Sequence, residues 1–424
     1  MTNFSPSPSF AKQLDQQDSL ASYREQFVAN DPDLIYLDGN SLGRLPKSVI
    51  ERMQKAVEEE WGSDLIRGWN RGWWESPKRI GDKIGSLLGA AEGQMIVGDQ
   101  TSINLFKLAT AALTLQPYKK RIITDTFNFP SDLYILQGIT KLLGNQHEII
   151  RIGASDNDIT PNLAALESAI NENTALVTLS HVTFKSGYLY DMAYITELAH
   201  RKGALVLWDL SHSAGAVPVE LDRSNADFAI GCTYKYLNGG PGAPAFLYVN
   251  RKSQNEVTSP IWGWWGQKDP FSFDLDYQPA SGIQRFLIGT APMLSTLAME
   301  EALTPLLDAG IDVLRAKSVL MTDYASYLTD EWLAPLDFSL GSPRDSARRG
   351  SHISIRHEEG YRINRAMIEE MNVIPDFREP DNIRLGFAPL YISFADVWEG
   401  FDRIRKVVEE KRYEKYPKQK LTVT

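Results

Sequence analysis

The 424-residue chain is long enough for two or three domains and for a core that closes without disulfides. Its 43% hydrophobic and 23% charged residues give a globular balance, and a net charge of −10 works against a general role on nucleic acid or anionic membrane, whose phosphates it repels. A single cysteine, Cys232, excludes an intramolecular disulfide or a cysteine-built zinc cluster and fits a reducing compartment, the cytoplasm.

Residues 1–12, rich in Ser and Pro, are expected to be loose until they dock, and they lack the apolar core of a signal peptide. A helix is predicted over 11–30 and a short strand over 34–37. A second helix starts at Pro46 and carries apolar residues at Val49, Ile50, Met53, Val57 and Trp61. The aromatic loop 65–77 reads either as packing between domains or as a wall of rings for a ligand. A helix over 80–88 follows, and then one capped by Thr101 or Ser102 that runs to about 115. Its start is either an ordinary cap or an anion site, because free N–H groups and the helix dipole both favour a phosphate.

From 121 to 249 strand and helix signals alternate. Strands are predicted at 121–126, 147–153, 175–182, 204–212, 227–235 and 244–249, with helices at 131–144, 161–171 and 191–202. Runs that are apolar throughout indicate an α/β fold with a mainly parallel sheet covered on both faces. Such sheets bind ligands beyond the carboxyl ends of their strands, where Asp125, His181, Asp209, His212 and Lys235 fall. A long helix is predicted from Pro292, then a smaller α+β unit. Its parts are a helix at 311–332, strands at 337–341 and 352–356, a helix at 360–371, a strand at 383–387 and a final helix opened by the capping pattern SFAD at Ser393. The basic run 410–420 reads as a solvated tail. No stretch approaches 18 uninterrupted apolar residues, so no membrane-spanning helix is expected.

Several chemistries are compatible with the alternating section. A dinucleotide fold would place GxGxxG after the first strand, but RIITDTFNFPSD has none, and the GGPG at 239–242 opens no clear helix. His181, His200 and His212 lack the spacing of metal ligands on one helix. A pyridoxal phosphate (PLP) site accounts for more. A strand-end lysine can hold the PLP aldehyde as a Schiff base and then move protons at the substrate Cα, and a carboxylate on the next strand can keep the pyridine nitrogen protonated. Lys235 and Asp209 fit those roles, with His212 beside them. Singly they could be a surface lysine, a capping aspartate and a core histidine; their convergence at neighbouring strand ends favours the site.

Finer motifs run through the chain in order: YLDGNSLG (36–43), LIRGWNRGWW (65–74), GDQTSINLFKL (98–108), FNFPSDLY (127–134), TYKYLN (233–238), WGWWG (262–266), GTAP (289–292) and NIRLGFAPLY (382–391). Together with WDLSHSAG they resemble the class V branch of fold-type I PLP enzymes, and in detail the kynureninase family. The resemblance implies an N-terminal segment 1–75, a large PLP-binding domain 76–292 and a small α+β domain 293–424. It also implies hydrolytic cleavage of the Cβ–Cγ bond of L-kynurenine, and possibly of its 3-hydroxy form, to anthranilate and L-alanine in tryptophan catabolism.

By the same resemblance Thr101 and Ser102 bind the phosphate, Phe129 stacks on the pyridine ring, and Pro130, Ser131 and Asp132 line the cofactor site. Asp209, His212, Tyr234 and Lys235 hold PLP from the sheet side, with Tyr234 a proton donor. Trp264 and Thr290 reach the phosphate of a neighbouring subunit, which implies a homodimer with shared sites. Arg384 clamps the α-carboxylate of an amino-acid substrate, and Asn40 and Trp69 lie on the substrate side. Thr290 and Trp69 stand where vertebrate members carry Asn and His, which implies a preference for unsubstituted kynurenine. Another class V enzyme (aminotransferase, desulfurase or lyase), a non-catalytic scaffold and, more weakly, an NAD-dependent oxidoreductase are the alternatives.

Overall fold

The computed structural model describes residues 3–419. Its larger sheet has seven strands in the spatial order Met95–Val97, Phe246–Val249, Phe228–Gly231, Leu205–Asp209, Thr174–Ser180, Arg121–Asp125, Glu148–Ile152. Only Phe246–Val249 runs against the others. Every residue of Thr174–Ser180 is buried, and alternate positions serve different apolar clusters. Val177, Leu179, Val206 and Trp208 join one cluster; Leu176 and Leu207 join another with Leu105 and Leu108 of the helix Thr101–Leu115. This period of two is what a sheet covered on both faces requires. The chain therefore has the expected α/β architecture, with a mainly parallel sheet between helices.

A smaller antiparallel sheet has the order Asp376–Arg378, Asn382–Gly386, His352–Arg356, Ser339–Leu340 and packs with the helices Ile311–Leu328 and Gly360–Met371, on which Phe394–Glu409 lies. The N-terminal region docks here. Strand Ile35–Tyr36 pairs in parallel with Val373–Ile374. Asp15, from the helix Pro8–Gln16, accepts from the backbone N–H groups of Phe394 (2.7 Å) and Ala395 (3.0 Å), at the start of the last helix. Asp18 forms a buried ion pair with Lys317 (2.7 Å). A carboxylate at a helix N-terminus complements the dipole there.

The structure corrects several predicted elements. The helix over 11–30 is Pro8–Gln16 followed by a 3-10 segment, Ala21–Gln26. Ser7 caps the earlier start, and Asp18 takes the Leu20 N–H (2.9 Å) in the intervening turn. The helix after Pro46 widens into a π-helical stretch, Ala56–Asp64. The long helix from Pro292 is two, Met293–Ala302 and Thr304–Ala309, divided by Leu303 ahead of Pro305; Gly310 at φ 76° separates them from Ile311–Leu328, the helix predicted at 311–332. Strands predicted to 212 and 235 stop at Asp209 and Gly231, and the residues beyond turn into the cleft described below.

Three short strands, Met95–Val97, Val373–Ile374 and Asp376–Arg378, were not predicted. The expected solvated tail is anchored as far as Lys418. Arg362 donates to the Tyr416 carbonyl (2.7 Å), and Lys415 and Lys418 pair with Glu370 and Glu359 (2.8 Å each); Lys420 lies outside the described residues. Among the described residues no helix is long and apolar enough to cross a membrane.

Candidate active site

Where the parallel strands end, the chain encloses a cleft of about 430 Å³. Asp209 closes the strand Leu205–Asp209. One of its oxygens accepts from the backbone N–H (2.8 Å) and hydroxyl (2.6 Å) of Ser211, and the other from the Ser180 hydroxyl (3.4 Å). Three residues on, His212 is buried with Nε2 3.2 Å from Lys235 Nζ. Burial first, and then the charges of Lys235 and Arg384, push its imidazole well below the usual histidine range, so it is neutral at physiological pH. Lys235 has no ion-pair partner among the described residues.

Asp132 faces the same space. Burial and the charge of Asp209 raise its carboxyl, against the pull of Lys235. The phenol of Tyr234 is raised by the neighbouring Cys232 thiol and by burial, which keeps its proton in place.

The opposite side comes from two helix starts. Thr101 and Ser102 occupy the first turn of Thr101–Leu115, but neither is the cap. That position is Gln100, and it makes no side-chain capping bond. The result is an uncapped helix start flanked by two hydroxyls at the cleft, a ready anion seat. Phe129 precedes the helix Pro130–Leu142. It is 42% exposed, and its ring meets Phe184 edge-on at 5.3 Å.

Buried Asp125 holds this turn by accepting from Phe127 N–H (2.9 Å), Asn128 N–H (2.8 Å) and Tyr190 Oη (2.6 Å). From the small sheet, Arg384 is 1% exposed and donates to the Phe184 carbonyl (2.7 Å) and the Ser41 hydroxyl (2.8 Å). The loop carrying Ser41 is tied to the lysine's neighbourhood by Gly43 N–H to Tyr234 O (2.8 Å). A Cβ at Gly43 would run into the Lys235 carbonyl and Asn238.

Ten of the expected site residues line this one cleft: Thr101, Ser102, Phe129, Ser131, Asp132, Asp209, His212, Tyr234, Lys235 and Arg384. Pro130 is the first residue of the adjoining helix. Asn40 lies behind the wall, fully buried against Gly386, with neither amide atom hydrogen-bonded among the described residues. Trp69 and Trp264 sit away from the cleft in an aromatic cluster with Trp73, Trp74, Trp265 and Phe271, and Thr290 is exposed.

Sequence reasoning missed Gln100, Ser211, Ser41 and Arg378, all of which line the cleft. Ser41 was within reach, since it adjoins Asn40 in a motif already singled out. Arg378 had no signal, because Pro375 and Pro380 interrupt any strand pattern around it.

An unpaired strand-end lysine, a carboxylate on the neighbouring strand, an exposed aromatic face and an uncapped helix start suit an aldehyde, a pyridinium, a flat ring and a phosphate, the four parts of PLP. Fold and site together define a fold-type I PLP-dependent enzyme. Solved structures agree on the fold: an apo cysteine desulfurase from Thermococcus onnurineus superposes with a TM-score of 0.78 at 19% identity, over 92% of this chain and 98% of that one. A C-DES structure with glycine covalently linked to its PLP cofactor gives 0.78 at 18%, over 90% and 98%.

The family model for the kynureninase C-terminal domain matches residues 314–404. Kynureninase of Pseudomonas fluorescens is 44% identical over 405 residues, 94% of this chain and 95% of that protein. Kynureninase of Burkholderia pseudomallei is 42% identical over 93% and 94%. The chain belongs to the kynureninase family.

Proposed function

We propose that this enzyme hydrolyses L-kynurenine to anthranilate and L-alanine with PLP as cofactor. The observation that carries the reading is the 44% identity to a kynureninase along nearly the whole of both chains, with Lys235 and Arg384 facing one cleft. When bound, PLP supplies an electron sink for bonds made and broken next to the substrate Cα. Thr101 and Ser102 would hold its phosphate, Phe129 would stack on its ring, Asp209 would pair with the ring nitrogen, and Lys235 would hold its aldehyde carbon.

The remaining work falls to the chain's own groups. Lys235 Nζ, free of any ion pair among the described residues, moves the proton at the substrate Cα. The neutral His212 beside it leaves that amine without a competing fixed cation. Tyr234, whose proton is firmly held, donates from its hydroxyl beside the cofactor. Arg384 fixes the α-carboxylate through its planar fork, a geometry an ammonium cannot match.

We infer a homodimer as well. Trp69, Trp264 and Thr290 do not reach the cleft of their own chain, so a second subunit is the natural recipient of their contacts. Trp69 and Thr290 support unsubstituted kynurenine as the preferred substrate, and the single buried thiol supports a cytoplasmic setting.

A desulfurase reading needs a mobile, ionisable cysteine. Cys232 is buried and its thiol is pushed up, chiefly by burial, so it packs as a small apolar side chain. The test is direct: PLP-loaded protein should release fluorescent anthranilate from L-kynurenine without added 2-oxo acid. Loaded protein that releases none overturns the reading.

A further inference from the structure

Arg384 has a companion. Arg378 lines the same cleft from the adjacent strand, and the two guanidiniums share one carboxylate: Asp376 ion-pairs with Arg384 and with Arg378 (3.0 Å). The Nε–H groups of both arginines are buried without a partner among the described residues. The Arg378 side chain is nonetheless 34% exposed and lines the cleft, so its guanidinium remains within reach of a ligand. Asp38 packs against the same cluster. Burial and the charge of Asp376 push its carboxyl up to about 6, so this second acid takes up a proton easily once a ligand's negative charge arrives beside it.

Two cations thus face a single shared carboxylate and a weakly held one. That arrangement suits one further carboxylate from a ligand and leaves no place for a third cation. Asp376 also explains the aim of both side chains. It is 3% exposed, lies directly across from Arg384 in the strand pairing, and fixes both forks at once.

We infer that Arg378 is a second anchor for the amino acid's α-carboxylate, held in register with Arg384 by Asp376. The inference rests on the amino-acid substrate proposed above. Arg378→Gln holoenzyme should show a KM for L-kynurenine raised about 10- to 100-fold, the size expected for losing hydrogen bonds to a charged group, with kcat changed less than about threefold. Titrating the cofactor's visible absorbance with L-alanine, and separately with ethylamine, which lacks the carboxylate, isolates the contact. The L-alanine affinity should weaken by the same factor, while that for ethylamine stays within about twofold.

Equal weakening for both ligands, or unchanged affinity for both, overturns the assignment. Arg378→Lys should fall between wild type and Arg378→Gln, and it carries the test if the glutamine variant does not fold. If the wild type releases no anthranilate, the reaction reading fails, yet the L-alanine and ethylamine titrations still decide the role of Arg378.

Discussion

The cleft floor and the aromatic face differ in how they are finished. On the floor, the chain itself positions the groups that face the cleft: Asp209 by Ser211 and Ser180, Phe129 by the turn that Asp125 organises, Arg384 by Phe184, Ser41 and Asp376. The aromatic face has no such closure. Trp69, Trp74, Trp264 and Trp265 pack on one another, while Trp262, Trp264, Phe271, Phe273 and Leu275 remain exposed, with Ile66 nearby in sequence to Trp69. Contiguous exposed rings of this kind mark a surface that meets another molecule. One region is finished by the chain itself; the other is the surface on which the proposed homodimer would close.

The largest expected effect tests the floor. Lys235→Ala should lose at least about 10³-fold in kcat along with the visible band of the lysine-bound cofactor, because a positioned acid–base group alone contributes on the order of 10²–10⁴-fold. Wild-type-like turnover in that variant would move the chemistry elsewhere. Next in size, Arg384→Gln should cut kcat/KM by more than about 10²-fold, beyond the loss in Arg378→Gln, since Arg384 is the more buried of the pair. Steady-state kinetics on L-kynurenine read both.

The interface is tested by mixing. Inactive Lys235→Ala and impaired Trp264→Ala proteins, unfolded and refolded together, should recover up to about a quarter of wild-type activity, the share of intact sites expected when each site draws on two subunits and assembly is random. Recovery no greater than the sum of the separate proteins would leave the aromatic face outside the site.

The last test concerns pH. His181, just past the strand Thr174–Ser180, is held by burial at about 4, below its ordinary 6.5. Between those values the unfolded chain binds a proton that the folded chain does not, so this histidine's contribution falls as the pH drops from about 6.5 to about 4. Over that window wild type should lose about 3 kcal/mol relative to His181→Gln in denaturant unfolding. Trp264→Ala should leave this difference unchanged.

The same contrast explains what the sequence revealed. Lys235, Asp209 and His212 were legible because wholly apolar strand runs announce where a buried parallel sheet stops, and polar residues at those stops face the ligand side. Thr101 and Ser102 were legible as a helix start, though not as residues within an uncapped first turn, since capping depends on where Gln100 lands. Arg378 was not legible. Its strand is three residues long, bracketed by prolines, and exists only because Asn382–Gly386 pairs with it. Nor could any local pattern show that Trp69 would lie apart from the residues it was grouped with, because that depends on packing between segments almost 200 positions apart, at Trp69 and Trp264.

The pairing of Ile35–Tyr36 with Val373–Ile374 sets a timetable for biosynthesis. At ordinary translation rates the partner strand is made roughly 340 residues later, a wait of about 20–70 s. Throughout that interval the YLDGNSLG loop lacks both the strand beside it and the Arg384 it braces, so a nascent chain can complete its PLP-binding sheet well before it can grip a carboxylate.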